Sequence, residues 1–215
     1  MTEPTQPDGK QPEQSAPADP PAPATPPAAA APPAAAAPPA APAAPRMSPE
    51  EQKLRREVPS VALDRLREKF PADVLEVTYY ADQVSVLVPA ARAAELLAFL
   101  RDDGVTAFDL LADQTAADWP QREKRFDVIY HLYSIPKNHR LRIKVHAADG
   151  ESVPSATPIY KAANWHEREI FDLFGVVFDG HPDLRRILLP DEWRGYPLRK
   201  EFPLEGFPEQ HMRLR

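Results

Sequence analysis

Residues 157 to 190, TPIYKAANWHEREIFDLFGVVFDGHPDLRRILLP, gather most of the groups in this 215-residue chain that could do chemistry. Glu167 and Glu169 would be an acid/base pair if their carboxylates converged. Residues two apart on a helix point about 200° from each other, so these two cannot act on one bond. His166 and Glu169 stand at i and i+3, a spacing used by metal-binding helices. Together with His181 they would form the ligand set of a free-standing metal-dependent hydrolase, although the sequence specifies no further ligand nearby. His181, followed by Pro182, is also a candidate proton-transfer group. Arg168 and Asp172 form an i to i+4 ion pair worth about 0.2–0.5 kcal/mol on an isolated helix. Adjacent Arg185 and Arg186 could clamp a phosphate, but the chain has neither GxGxxG nor GxxxxGK to accompany them. Planar guanidinium pairing across a protein interface is the expected role.

A helix from Pro158 to Phe174 must position these groups. Thr157 suits its N-cap, Pro158 its first position and Gly175 its left-handed C-terminal stop. Ile159, Ala162, Ala163, Ile170, Leu173 and Phe174 fall on one broad face with His166 among them. Tyr160, Phe171 and Trp165 widen it and leave a stripe of Lys161, Asn164, Arg168 and Asp172. So narrow a polar stripe predicts a helix covered on more than one side.

Upstream, Ser48-Pro49-Glu50-Glu51 reads as a capping box opening a short helix that Pro59 ends. A second helix, Ser60 to Phe70, carries Val61, Leu63, Leu66 and Phe70. Val74 to Tyr80 and Gln83 to Val88 alternate as a hairpin around Ala81-Asp82, with Leu75, Val77, Tyr79, Val84, Val86 and Val88 toward one side. A helix over about Ala90 to Asp102 presents Leu96, Leu97 and Leu100 and stops at Gly104. Strands follow at Val105 to Leu111, Arg125 to Ile135 and Arg140 to His146. Local pairing of strands with interleaved helices predicts an α+β domain, its mostly antiparallel sheet packed by helices on one face.

The last strand separates Leu141, Ile143 and Val145 from Arg140, Arg142, Lys144 and His146. Tyr130 and Tyr133 nearby invite comparison with an RNA-stacking platform. Three residues apart on a strand, they face opposite ways, so the basic face is expected to be solvated or turned to a protein.

After Val176 the apolar clusters Val176-Val177-Phe178, Ile187-Leu188-Leu189, Trp193 and 202 to 207 are broken repeatedly by proline and glycine, among Arg185, Arg186, Arg194, Arg199 and Lys200. Neither a long helix nor an interior strand can form there. Residues 176–215 are therefore expected to form an extended, irregular interface arm, with 176–205 lying on another protein; the alternative is that it folds back over its own sheet.

Residues 1–45 contain 15 Pro and 16 Ala, which predicts a disordered, partly polyproline tail through residue 47 and a folded part from 48. It lacks the apolar stretch of a secretion signal. Net charge of −6 gives no reason to expect nucleic acid. No run of 18 apolar residues predicts a membrane span. With no cysteine, the chain offers no disulfide, thiol nucleophile or thiolate-held iron–sulfur cluster.

Glu167-Arg168-Glu169, Asp172-Leu173-Phe174-Gly175, Gly180-His181-Pro182-Asp183-Leu184-Arg185-Arg186-Ile187-Leu188, Leu189-Pro190-Asp191-Glu192-Trp193, Gly195-Tyr196-Pro197-Leu198-Arg199-Lys200-Glu201 and Pro203 form a long ordered signature. It resembles that of the C-subunit family of NADH-quinone oxidoreductase, the 30 kDa subunits of respiratory complex I, over about residues 60 to 205. The resemblance implies the same α+β arrangement and a non-catalytic peripheral subunit on the cytoplasmic side of the cell membrane. It further implies no cofactor on this chain, with FMN, iron–sulfur clusters, NADH and quinone bound by other subunits. Contacts with those other complex I subunits, D above all, with B and I nearby, would fall on Glu167, Arg168, Glu169, Asp172, His181, Arg185, Arg186, Trp193 and Arg199. A related subunit of a membrane-bound hydrogenase or another donor:quinone oxidoreductase is the alternative within that architecture.

Overall fold

The computed structural model describes residues 56–206. The Pro/Ala-rich tail and the capping box at Ser48 lie outside the described residues. Helix α1, Val61–Lys69, opens where Ser60 Oγ accepts the amide hydrogen of Leu63, and it buries Ala62, Leu63 and Leu66. Val61, at the start of the same helix, is exposed. Strands β1, Glu76–Tyr80, and β2, Gln83–Val88, form the hairpin expected from their alternation. Its two-residue turn places both Ala81 and Asp82 at positive φ, 49° and 60°, the twist that matches antiparallel strands.

A 3₁₀ turn at Ala90–Arg92 leads into α2, Ala93–Asp102, which buries Leu96, Leu97 and Leu100. Its end differs from expectation. Asp103, with φ −70° and ψ 116°, turns the chain out of the helix, so Gly104 supplies no left-handed cap. The stretch expected as a strand from Val105 is a turn held by Thr106, whose hydroxyl donates to the Leu100 carbonyl. Strand β3 is displaced to Leu110–Asp118, with a bulge between Leu111 and Asp113.

Strands β4, Phe126–Ser134, and β5, His139–Ala147, complete a five-stranded sheet of order β1-β2-β5-β4-β3. The β2/β5 pairing is parallel and the others are antiparallel. The architecture is thus the expected α+β one. One sheet face supplies Val84, Val86 and Val88, then Phe126, Val128, Tyr130 and Leu132, then Leu141, Ile143 and Val145 to a core shared with all three helices. Tyr130 is fully buried and Tyr133 lies on the other face, as their odd spacing requires. Among the described residues no helix is long and apolar enough to cross a membrane.

Candidate functional site: a charged helix and its arm

Helix α3 runs Ala163–Phe174, five residues shorter at its start than the sequence predicts. Residues 156 to 162 are turns instead, with Tyr160 N donating to Ala156 O at 2.9 Å. Thr157 caps nothing; its hydroxyl donates to Glu167 at 3.3 Å. At the other end Gly175, at φ 76°, makes the expected left-handed stop. Ahead of the helix lies the short strand β6, Val153–Pro154, which pairs with β7, Phe178–Asp179, just past that stop.

The helix buries three charged side chains, Glu167, Arg168 and Asp172, because it is covered twice. Glu167 points into its own domain. Its carboxylate accepts the hydroxyl of Ser155 and the amide of Ala156, both at 2.6 Å. Burial raises the Glu167 pKa, and the bonds from Ser155 and Ala156 pull the other way without cancelling it.

Arg168 and Asp172 look outward from the core and find the C-terminal arm. Arg168 donates to the carbonyls of Arg185 and Arg186 at 3.2 and 3.0 Å. Asp172 receives Arg186 at 2.6 Å on one oxygen and the amides of Ile187, Leu188 and Leu189 at 3.1, 2.8 and 2.9 Å on the other. Burial opposes ionisation of Asp172, but the three amides and Arg186 outweigh it and hold the carboxyl below its ordinary range. Arg186 also donates to the carbonyls of Trp193 and Gly195 and lies 5.6 Å from the Tyr196 ring.

Further along, Arg199 donates to Phe174 O at 2.6 Å and to Asp149, with its guanidinium 4.7 Å from Tyr196 and 5.0 Å from Phe126. The Lys200 amide donates to Asp118 at 2.9 Å, and Arg125 bridges Asp118 and Glu201, each at 2.6 Å. Beyond the short β6/β7 pairing, arm backbone at 185–189, 193, 195 and 200 is bonded by side chains of its own chain. The arm expected to lie extended on another protein is, at these points, bonded to its own domain. Arg168, Asp172, Arg186 and Arg199, expected to reach partners, spend their hydrogen bonds within the chain.

His181 uses both ring nitrogens internally. Nδ1 accepts the Asp183 amide at 3.0 Å, so Nε2 carries the proton it donates to Asn164 O at 3.1 Å. His166 instead lies 3.8 Å from Asp113, and Glu169 is at the surface. Among the described residues no three His, Cys, Asp or Glu side chains are grouped to hold a metal. The ligand set needed for a hydrolase is not brought together. Outside this latch of Arg168, Asp172 and Arg186 between helix and arm lie Trp165, 61% exposed, with Glu169, Arg185 and Leu188. Arg168 lies 5.2 Å from the Trp165 ring, so this outer patch rests on the latch beneath.

Asp118, Arg125 and Asp149 escape sequence reasoning. Asp118 lies in an alanine-rich strand whose composition carries no strand signal, and 82 residues separate it from the amide it accepts.

Residues 86–208 match the family described as respiratory-chain NADH dehydrogenase, 30 Kd subunit. The C subunit of NADH-quinone oxidoreductase from Caulobacter sp. (strain K31) is 50% identical over 127 residues, which are 59% of this chain and 59% of that protein. Its counterpart from Rhodobacter capsulatus is 45% identical over 139 residues, 65% of this chain and 70% of that one. Among solved structures, one chain of the membrane-bound sulfane sulfur reductase, an archaeal respiratory membrane complex, superposes with a TM-score of 0.57. It is 26% identical and covers 66% of this chain and 84% of its own.

Proposed function

Because the chain belongs to the respiratory-chain NADH dehydrogenase 30 Kd subunit family, we propose that it is a non-catalytic structural subunit of a proton-translocating NADH-quinone oxidoreductase. The carrying observation is the match over residues 86–208, which takes in most of the sheet, α3 and the described arm as one unit. In this reading the assembly passes electrons from NADH through FMN and iron–sulfur clusters to quinone on other subunits. The chain, lacking cysteine, offers no thiolate to such a cluster. It sits in the peripheral arm, on the cytoplasmic side of the membrane, with D as its principal neighbour in the complex and B and I nearby.

The buried charges of α3 support a structural role. Glu167, Arg168 and Asp172 each hydrogen-bond backbone groups of their own chain. What they present outward is a rigid surface of Trp165, Glu169, Arg185 and Leu188, with an aromatic and an arginine of the kind that dominates interface energetics.

The likeness to the sulfane sulfur reductase chain favours a second reading, the equivalent subunit of a related respiratory membrane complex with another electron donor. One experiment separates the two. The tagged chain is recovered from gently solubilised native membranes and the eluate assayed for NADH-quinone reductase. An iron–sulfur flavoprotein assembly with that activity supports the first reading; an assembly without it supports the second. Recovery of the chain alone from the soluble fraction would remove both.

A further inference from the structure

The sheet face turned away from the core brings Arg140, Arg142 and His131 together, with Asp113 of β3 opposite His131. Strand β5 alternates so that Arg140 and Arg142 lie on that side, and register sets Arg142 directly opposite His131 and Arg140 opposite Tyr133. A positive charge opposite His131 on the adjacent strand disfavours protonation of its ring. The His131 pKa is accordingly lowered, first by burial and then by Arg142, with Asp113 pulling the other way.

These groups surround a cleft of about 260 Å³ walled also by Leu110 and Gln83, and among the described residues none of its lining is acidic. Arg142 donates to Gln83 at 3.0 Å and to Ser85 at 3.5 Å, both neutral, while its buried Nε has no partner. Elsewhere in the domain Arg125, Arg186 and Arg199 each meet a carboxylate, at 2.6, 2.6 and 2.9 Å. Among the described residues the Arg142 guanidinium thus meets no carboxylate, and an anion in the cleft would supply one. Phosphate fits poorly, since phosphate sites draw on free backbone amides and those of β4 are paired in the ladders to β3 and β5. A single negative charge on a short apolar stem suits one guanidinium, one imidazole and the Leu110 wall.

We propose that this cleft receives one aspartate or glutamate side chain of a neighbouring protein chain, held between Arg142 and His131 with Arg140 at the rim. That the carboxylate comes from a protein rests on the subunit reading; the affinity for a carboxylate does not. Docking would protonate His131, so binding takes up a proton and weakens as pH rises.

The test is an NMR pH titration of the His131 ring in the full chain, with propionate, phosphate or chloride at equal ionic strength. Propionate, the glutamate side chain in isolation, is expected to raise the His131 midpoint by roughly half a pH unit over chloride, and Arg142→Gln to abolish that rise. No rise, a rise undiminished in Arg142→Gln, or a rise with phosphate that equals or exceeds propionate's overturns the site. For the protein source, Arg142→Glu, with Arg140→Glu as the second variant, is introduced into the tagged chain and its recovery with the membrane assembly compared with wild type. Reduced recovery of a chain with unchanged circular dichroism supports docking, and equal recovery overturns it. If the wild-type chain recovers no assembly, the subunit reading fails, while the propionate titration still decides the site.

Discussion

Asp172 and Arg186 meet at 2.6 Å with the carboxylate wholly out of solvent, and the same carboxylate gathers three consecutive amides of the arm. One helical side chain thereby supplies acceptors that an irregular segment cannot find in itself. Asp172→Asn removes the charge and turns an N–H group toward these donors. It is expected to cost about 3–5 kcal/mol, the range for breaking a buried pair, measured by urea denaturation. A loss below about 1 kcal/mol, the net value of one ordinary hydrogen bond, would contradict the latch.

Acid should open the same latch. Asp172 has a folded-state pKa below its ordinary 3.8: burial raises it, and the amides of 187–189 with Arg186 more than offset that. Asp118 behaves alike, with Arg125 and the Lys200 amide overcoming burial. Their stabilisation is fully present above 3.8 and is lost as pH falls through the folded values. Glu167 has the opposite sign. Its folded pKa lies above 4.5, so stability falls as pH rises from 4.5 through the folded value. Unfolding midpoints across about pH 2.5–7 should show the wild-type advantage over Asp172→Asn shrinking below 3.8. A constant advantage would rule the assignment out.

Gly175 carries a doubly constrained position. A Cβ there would lie 2.6 Å from the Tyr196 ring, and its φ of +76° already disfavours a side chain. Gly175→Ala should destabilise by about 2–4 kcal/mol. Adding Tyr196→Ala should recover the ring's share of the steric part and leave the conformational part and the approach to Arg199 Nη2 at 2.9 Å. Strictly additive losses in the double-mutant cycle would show that ring and helix end do not meet.

Arg168 and Trp165 separate folding from assembly. Arg168→Ala removes two bonds to arm carbonyls and is expected to lower both stability and recovery with the membrane assembly. Trp165→Ala, at an exposed position, should leave the unfolding midpoint within about 0.5 kcal/mol and reduce recovery alone. Full recovery with Trp165→Ala would exclude this patch from the interface.

One substitution should stabilise. Ala81 holds a φ of 49° in a turn whose first position favours Asn. Ala81→Asn is expected to add about 0.5–1 kcal/mol, read as a raised denaturation midpoint. A lowered midpoint would argue against this turn geometry.

Where one period dominates, sequence and structure agree closely. Helix α1, the β1/β2 hairpin and strands β4 and β5 lie within a few residues of expectation because alternation or helical spacing, with strong flanking signals, leaves little choice. Strand β3 is hidden in the sequence because Ala112, Gln114, Ala116 and Ala117 have little strand preference; pairing with β4 imposes it. The start of α3 departs from expectation because Thr157 has a better use for its hydroxyl on Glu167 than as a cap. The signature residues are legible, but their direction of contact is not. Whether Asp172 grips a partner or the arm depends on where Leu188 returns, and no local period encodes that.

The stitches along the arm span very different lengths of chain, which orders their formation. Asp172 closes loops of 15, 16 and 17 residues, whereas Asp118 to Lys200 closes one of 82 and Arg125 to Glu201 one of 76. The short loops need little more than α3 and cost little closure entropy. The long ones require that β3 and β4 already be joined. Contact order thus predicts that the arm's near half joins α3 before its far end closes on β3 and β4.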